Sequence, residues 1–207
     1  MSDTKPSLDA LRVEIDEIDN QLHDLIMARS KIIERVRMAK EGERTKIRPA
    51  REAEILYRLS ERHQGVFPKQ SLFRMWREMI VGTLALEAPF AVAVQDVVGE
   101  DGYADLARDH FGSFSNLRRH ESAAAVIDMV NNDEVTVGVL PFPQPHSDNA
   151  WWRYLATDGD QRPMIMGRLP FFGRSNAQGA NLDALVISTV KPEPSSRDIS
   201  VYSLDIV

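Results

Sequence analysis

The sequence predicts two parts of different class. Residues 1–88 read as an all-helical domain of three helices, and residues 89–207 as a small α/β domain with a mainly parallel sheet. Three observations predict this. Apolar residues recur at helical 3-4 spacing through the first part. From Phe90 the texture turns to short apolar runs alternating with short helical stretches. Breaker segments, "EGERTKIR", "HQGVFP" and "EAPF", separate the pieces.

The first helix is predicted from about Leu8 to Lys40, with Ser7 as its N-cap. Its length is on the order of 50 Å. Its seam runs through Leu8, Leu11, Ile15, Ile18, Leu22 and Leu25, meets Arg29, and resumes at Ile32, Val36 and Ala39. A seam sustained over four heptads cannot bury itself in a small monomer, so a coiled coil or extended bundle is expected. The second helix starts near Pro49, a favourable first-turn position, and runs to Arg62 with Ile55, Leu56 and Leu59 on one face. The third runs from Lys69 to Glu87 with Leu72, Met75, Trp76, Met79, Ile80 and Leu84 as its stripe.

In the second part, "FAVAVQ", "YADLARDHFG", "SNLRRHE", "SAAAVIDMVNND" and "EVTVGVLPF" read as strand, helix, weak strand, helix and strand. That βαβαβ order implies a parallel sheet covered by helices. "PFPQPHSDNAWW" is a proline-rich loop. "RPMIMGRLPFFG" and "LDALVISTV" are predicted strands, and the terminal "ISVYSLDIV" alternates like one.

Composition narrows the function classes. A formal net charge of −6 argues against a general nucleic-acid binder. Cysteine is absent, which excludes disulfides and thiolate metal sites. The acidic, periodic N-terminus lacks the form of a signal peptide, and no apolar run approaches the roughly 18 residues of a membrane span. A cytoplasmic protein is expected. His110, His120 and His146 have no metal-ligand spacing and read as surface or packing residues.

Polar residues on apolar stripes carry the chemistry, because burying them unpaired is costly. Arg29 interrupts the seam of the first helix. Lys40 follows about 16 Å along the axis and only about 20° around it, so both cations line one face. Glu52 shares the face of Ile55, Leu56 and Leu59, with Arg51 beside it. Thr83 and Glu87 continue the stripe of the third helix. The bland reading is a snorkelling side chain, or a structural Arg29–Glu52 ion pair. The set as a whole, with its positive excess, points to an internal site for a small anion. Arg12 lies about 25 Å from Arg29 and about 100° around the axis. Any contribution from it to the same pocket must come from another chain, which an antiparallel homodimer supplies.

The stretches "LDALRVEIDEIDNQLHDLIMARSKIIERVRMAK", "RPAREAEIL" and "MWREMIVGTLALE" resemble the all-helical type of chorismate mutase over about Leu8 to Glu87. The resemblance implies an intertwined dimer of three-helix chains that rearranges chorismate to prephenate without metal or cofactor. It implies that Arg12, from the partner chain, and Arg29 bind the two substrate carboxylates. Lys40 is implied at the ether oxygen, Glu52 at the ring hydroxyl and Arg51 beside the pocket. Thr83 and Glu87 stand where the family often has serine and glutamine. Two departures matter. Arg48 in "RPARE" replaces a common aspartate. Glu87, in place of glutamine, donates a hydrogen bond only when protonated.

"YADLARDHFG" with "AVIDMVNNDEVTVGVLPF" resembles the first lobe of a prephenate dehydratase, and "LDALVISTVKPEPSSRDISVYSLDI" the end of its second lobe. Asp183, Ala184 and Leu185 stand in place of that family's Thr-Arg-Phe motif, so no dehydratase activity is expected and the domain reads as reduced. The alternatives are a bifunctional mutase–dehydratase, or a non-catalytic helical dimer that binds a pathway metabolite or a partner protein.

Overall fold

A computed structural model describes residues 6–39, 47–87, 89–100, 102–144, 150–156, 162–173, 181–195 and 197–202, with backbone alone at Leu86 and Glu87. The chain forms two compact units, Met1–Arg44 and Thr45–Val207.

The first unit holds helix α1, Leu8–Ala39, and no residue of this helix is buried. Ser7 caps it as the sequence predicts, its Oγ accepting from the Ala10 amide at 3.1 Å. The apolar seam is uncovered, with Leu8 73% exposed, Leu25 67% and Ile32 58%.

The second unit contains α2, Pro49–Arg62, and α3, Lys69–Glu87, with the α/β part. Helix α2 turns Ala50, Ala53 and Leu56 inward. On α3 the buried set differs from the predicted stripe. Phe73, Arg77, Ile80, Val81 and Thr83 are buried, while Met75 is 52% exposed. The reason is that α3 also packs on α4, Tyr103–Phe111, and turns the Phe73–Arg77–Val81 row towards it.

The sheet has strands β1, Ala91–Gln95; β2, Asn116–His120; β3, Val137–Pro141; β4, Met164–Leu169; and β5, Ala184–Ser188. Helix α5, Ala123–Asn131, links β2 to β3. The strand order is β2-β1-β3-β5-β4. The expectation of a mainly parallel sheet is corrected. β1 pairs parallel with β2 and β3, but β5 pairs antiparallel with both β3 and β4. Parallel neighbours need a crossover, usually helical. Helices α4 and α5 supply it for the first three strands, whereas between β3 and β4 the described residues hold only a 3₁₀ turn, Trp151–Leu155.

Both faces are covered, so β1, β3 and β5 are near-continuous apolar runs. Alternation sends Val92, Val94, Val137 and Val139 towards α4, and Ala91, Ala93, Leu140 and Ile187 towards α5. Gly138 is required at this second face. A Cβ there would lie 2.8 Å from Val126 and 2.9 Å from Ile187. The predicted terminal strand does not form among the described residues. Ile199, Val201 and Tyr202 are irregular and exposed; residues 203–207 lie outside the described set. No described helix is long and apolar enough to cross a membrane.

Candidate functional site

The sequence candidates divide between the units. Arg12 and Arg29 lie on α1. Arg51, Glu52, Thr83 and Glu87 lie on α2 and α3. Lys40 lies outside the described residues, and the side chain of Glu87 is not described.

Arg12 is exposed and donates to Asp9, one turn earlier, at 3.0 Å. Such a surface pair is weak and is easily exchanged for another anion. Arg29 differs. It is half-buried, and its Nη1 is shut off from solvent with no hydrogen-bond partner among the described residues. Burial lowers its pKa from the ordinary arginine value. An orphaned guanidinium nitrogen is unusual, because nearly all buried polar groups are paired, and it calls for an anionic acceptor.

On α2, Arg51 and Glu52 point different ways. Arg51 is exposed and bonds Glu54 at 3.0 Å. Glu52 is largely buried and accepts from Arg77 Nη1 of α3. Arg77 Nε donates to the His110 carbonyl of α4 at 2.6 Å, and its guanidinium lies 5.9 Å from the Phe111 ring centroid. Removing one partner of a pair buried this deeply costs about 3–5 kcal/mol. Thr83 is buried, and its hydroxyl donates back to the helix carbonyls of Ile80 at 2.7 Å and Met79 at 3.0 Å. Arg48 is exposed at the N-cap of α2 and makes no side-chain cap. A guanidinium has no acceptor to offer the free amides there, whereas an aspartate would.

Arg77 is the residue that sequence reasoning missed. The signal was present. Phe73, Arg77, Ile80 and Leu84 follow the 3-4 spacing with a charge inside the row, as Leu25, Arg29 and Ile32 do on α1. The neighbouring stripe through Leu72, Trp76 and Met79 is equally apolar and was read in its place.

A cavity of about 160 Å³ opens where α2, α3 and α4 meet the end of β4. Phe73, Arg74, Arg77, Asp109, His110 and Phe172 are among its walls. Its charged groups are matched internally: Arg74 bonds Asp109 at 2.5 Å, and Arg77 holds Glu52. The His110 ring packs edge-on against Phe111 at 4.7 Å. Burial, and then the Arg77 charge, push its pKa well below the usual histidine value. His120 sits at the end of β2 with Nε2 buried and unpaired among the described residues. His146 lies outside the described residues. Among the described residues no cluster of three His, Asp or Glu side chains could hold a metal ion.

Comparison with known proteins bears on both units. The family model described as chorismate mutase type II matches residues 11–88. A bifunctional chorismate mutase/prephenate dehydratase of Stutzerimonas stutzeri is 32% identical over 140 residues, covering 65% of this chain and 38% of that protein. One from Pseudomonas aeruginosa has the same identity and coverage. One from Aquifex aeolicus is 36% identical over 91 residues, covering 42% of this chain and 25% of its own length. The chain thus spans well under half the length of the curated relatives it matches. A match of 140 residues is longer than the 88 residues before the α/β part, so it runs past α3 into the sheet.

Proposed function

We propose that this chain catalyses the Claisen rearrangement of chorismate to prephenate, a reading supported by the match of residues 11–88 to the chorismate mutase type II model. It would be an isomerase at the branch to phenylalanine and tyrosine. The observation that carries the reading is Arg29, a half-buried cation on an apolar seam whose Nη1 has no hydrogen-bond partner among the described residues.

The reaction is pericyclic and needs no nucleophile, metal or cofactor. The protein must hold the diaxial conformer, which gripping two carboxylates does. Arg29 takes one carboxylate by charge-assisted hydrogen bonds. Arg12 takes the other, from a second copy of the chain. The bare apolar seam of α1 supports that homodimer. Lys40 stabilises the negative charge that develops on the ether oxygen as its bond to carbon breaks. Glu87, standing where the family often has glutamine, donates to the same oxygen when protonated. Glu52 accepts the ring hydroxyl, and Arg51 and Thr83 line the site. The division at residues 88 and 89, with a cytoplasmic location, completes this reading.

The relatives are named as bifunctional, so dehydratase activity is the second reading. The chemistry at Asp183, Ala184 and Leu185 weighs against it. Arg168 Nη2 bonds the Asp183 carboxylate at 2.8 Å, while Ala184 and Leu185 are buried in β5. That stretch presents no free hydroxyl and cation for a decarboxylative elimination.

Ultraviolet absorbance of chorismate tests both. Expected is loss of chorismate with prephenate accumulating, abolished by Arg29→Ala. Onward conversion to phenylpyruvate at neutral pH would instead support the bifunctional reading. No consumption from about pH 5 to 8, the span in which a raised glutamate titrates, would leave a non-catalytic binding dimer.

A further inference from the structure

Glu52 does not stand alone on α2. Its carboxylate is held by Arg77 of α3, and Arg77 is held in turn by the backbone carbonyl of His110 in α4. The Arg77 side chain is 6% exposed and that of Glu52 13%, so water competes little for either bond.

The anchor is firm. Arg74 Nη2 bonds Asp109 at 2.5 Å. Glu78 Oε1 accepts from both the amide and the hydroxyl of Ser113 at 2.9 Å. Residues 74, 77 and 78 of α3 therefore grip the end of α4 and the turn after it. Gly112 is needed in that turn. Its φ is +83°, and a Cβ would lie 2.9 Å from the Glu78 carboxylate. Helix α4 is itself seated on the sheet through Leu106, Ala107 and Phe111, all buried. A guanidinium is a rigid planar fork, so fixing Nε on a carbonyl fixes the direction of Nη1.

We propose that Arg77 is a positioning residue: it holds the Glu52 carboxylate where it accepts the ring hydroxyl of chorismate, and α4 of the α/β part supplies the anchor. The inference rests on the reading of Glu52 as the hydroxyl ligand. It gives the α/β part a share in the mutase reaction without chemistry of its own. A glutamate left to itself must lose side-chain freedom each time substrate binds, whereas one already tethered is pre-organised.

The test uses the full chain carrying Arg77→Met, Arg77→Lys, Glu52→Ala and the double variant Arg77→Met/Glu52→Ala. KM and kcat are measured on chorismate and on its analogue with hydrogen in place of the ring hydroxyl, alongside thermal unfolding. Arg77→Met and Glu52→Ala are each expected to raise KM for chorismate about tenfold, with kcat changing less. The double variant is expected to be no worse than Glu52→Ala, because the two side chains act as a unit. On the analogue both penalties shrink to under about twofold, since the buried pairing with the hydroxyl is what was lost. Arg77→Lys, which keeps the charge but not the fork, falls between wild type and Arg77→Met.

Equal penalties for Arg77→Met on the two substrates would mean a role in folding alone and overturn the proposal. Penalties that multiply in the double variant would do the same. If Glu52→Ala is silent, or costs the same on both substrates, the reading of Glu52 has failed and takes this proposal with it. If Arg77→Met does not fold, Arg77→Lys decides the matter. A wild-type KM for chorismate in that variant, with its unfolding transition intact, overturns it.

Discussion

Helix α1 and helix α2 are both amphipathic, yet they end in opposite states. Leu56 of α2 is 1% exposed, while Leu25 at the middle of α1 is 67% exposed. α2 finds a surface within its own unit; the seam of α1 finds none among the described residues of its own unit. An apolar stripe this long and uncovered marks an interaction face. The charges follow the same division: the Arg29 Nη1 is buried and has no hydrogen-bond partner among the described residues, whereas Arg77 bonds both Glu52 and the His110 carbonyl. One region is finished by its own packing; in the proposed reading the other is finished by a second copy of the chain and by substrate.

The strongest way to break that contrast is to mix two inactive variants. Arg12→Ala and Arg29→Ala are each expected to lose about 10²–10³-fold in activity, as for removal of a preorganised charge contact. If Arg12 acts in trans, equilibrated mixtures regain about one quarter of wild-type activity, because half of the dimers are mixed and each carries one intact site. No recovery on mixing would break the intertwined reading.

The contrast sharpens with one leucine from each region. Leu56→Ala is expected to cost about 2–5 kcal/mol whatever the protein concentration, because it opens a cavity in a packed core. Leu22→Ala, on the 48% exposed seam position, should act through association. Its thermal midpoint should fall with dilution, and sedimentation should show dissociation. Concentration-independent shifts of similar size for both would erase the distinction.

A smaller effect concerns Glu87. Wild-type activity should fall about tenfold as pH rises across the range where a carboxylic acid in such a site loses its proton, and Glu87→Gln should be flatter. Identical pH–rate profiles for the two would remove the proton donor from the mechanism. The smallest effect is in the finished region. Burial and Arg77 keep the His110 pKa below its unfolded value of about 6.5. Below that pH the unfolded chain takes up a proton that the folded chain refuses. Stability therefore declines as pH falls, by at most about 1.4 kcal/mol per pH unit. His110→Gln should decline less steeply in urea titrations at pH 7 and pH 5.

Much of the fold was legible because its signals are local. Ser7 and Pro49 mark the starts of α1 and α2, and Gly112 with φ +83° follows the end of α4. The direction of β4 and β5 was not legible, since strand character in "MIMGRL" and "ALVIS" is the same for either pairing. Two equally apolar faces on α3 hid Arg77, whose burial depends on α4 arriving from 33 residues away. Of the candidate site, the sequence supplies the residue types and their faces. The engagement of Glu52 by Arg77, and the exposure of Arg51, depend on tertiary contacts that no spacing encodes.

The outer strand β2 carries a last consequence. Its sequence "NLRRH" is mostly exposed, with consecutive arginines on the sheet margin and Arg119 clasped to Asp96 at 2.8 Å. Charged margins discourage another chain from adding itself to the sheet. Two molecules meeting in a crowded solution are thus discouraged from joining at this border, whereas the apolar seam of α1 stays exposed. The same chain guards one margin of its sheet against fibrous growth, while its longest exposed apolar stripe lies far upstream in sequence, on Leu8–Ala39.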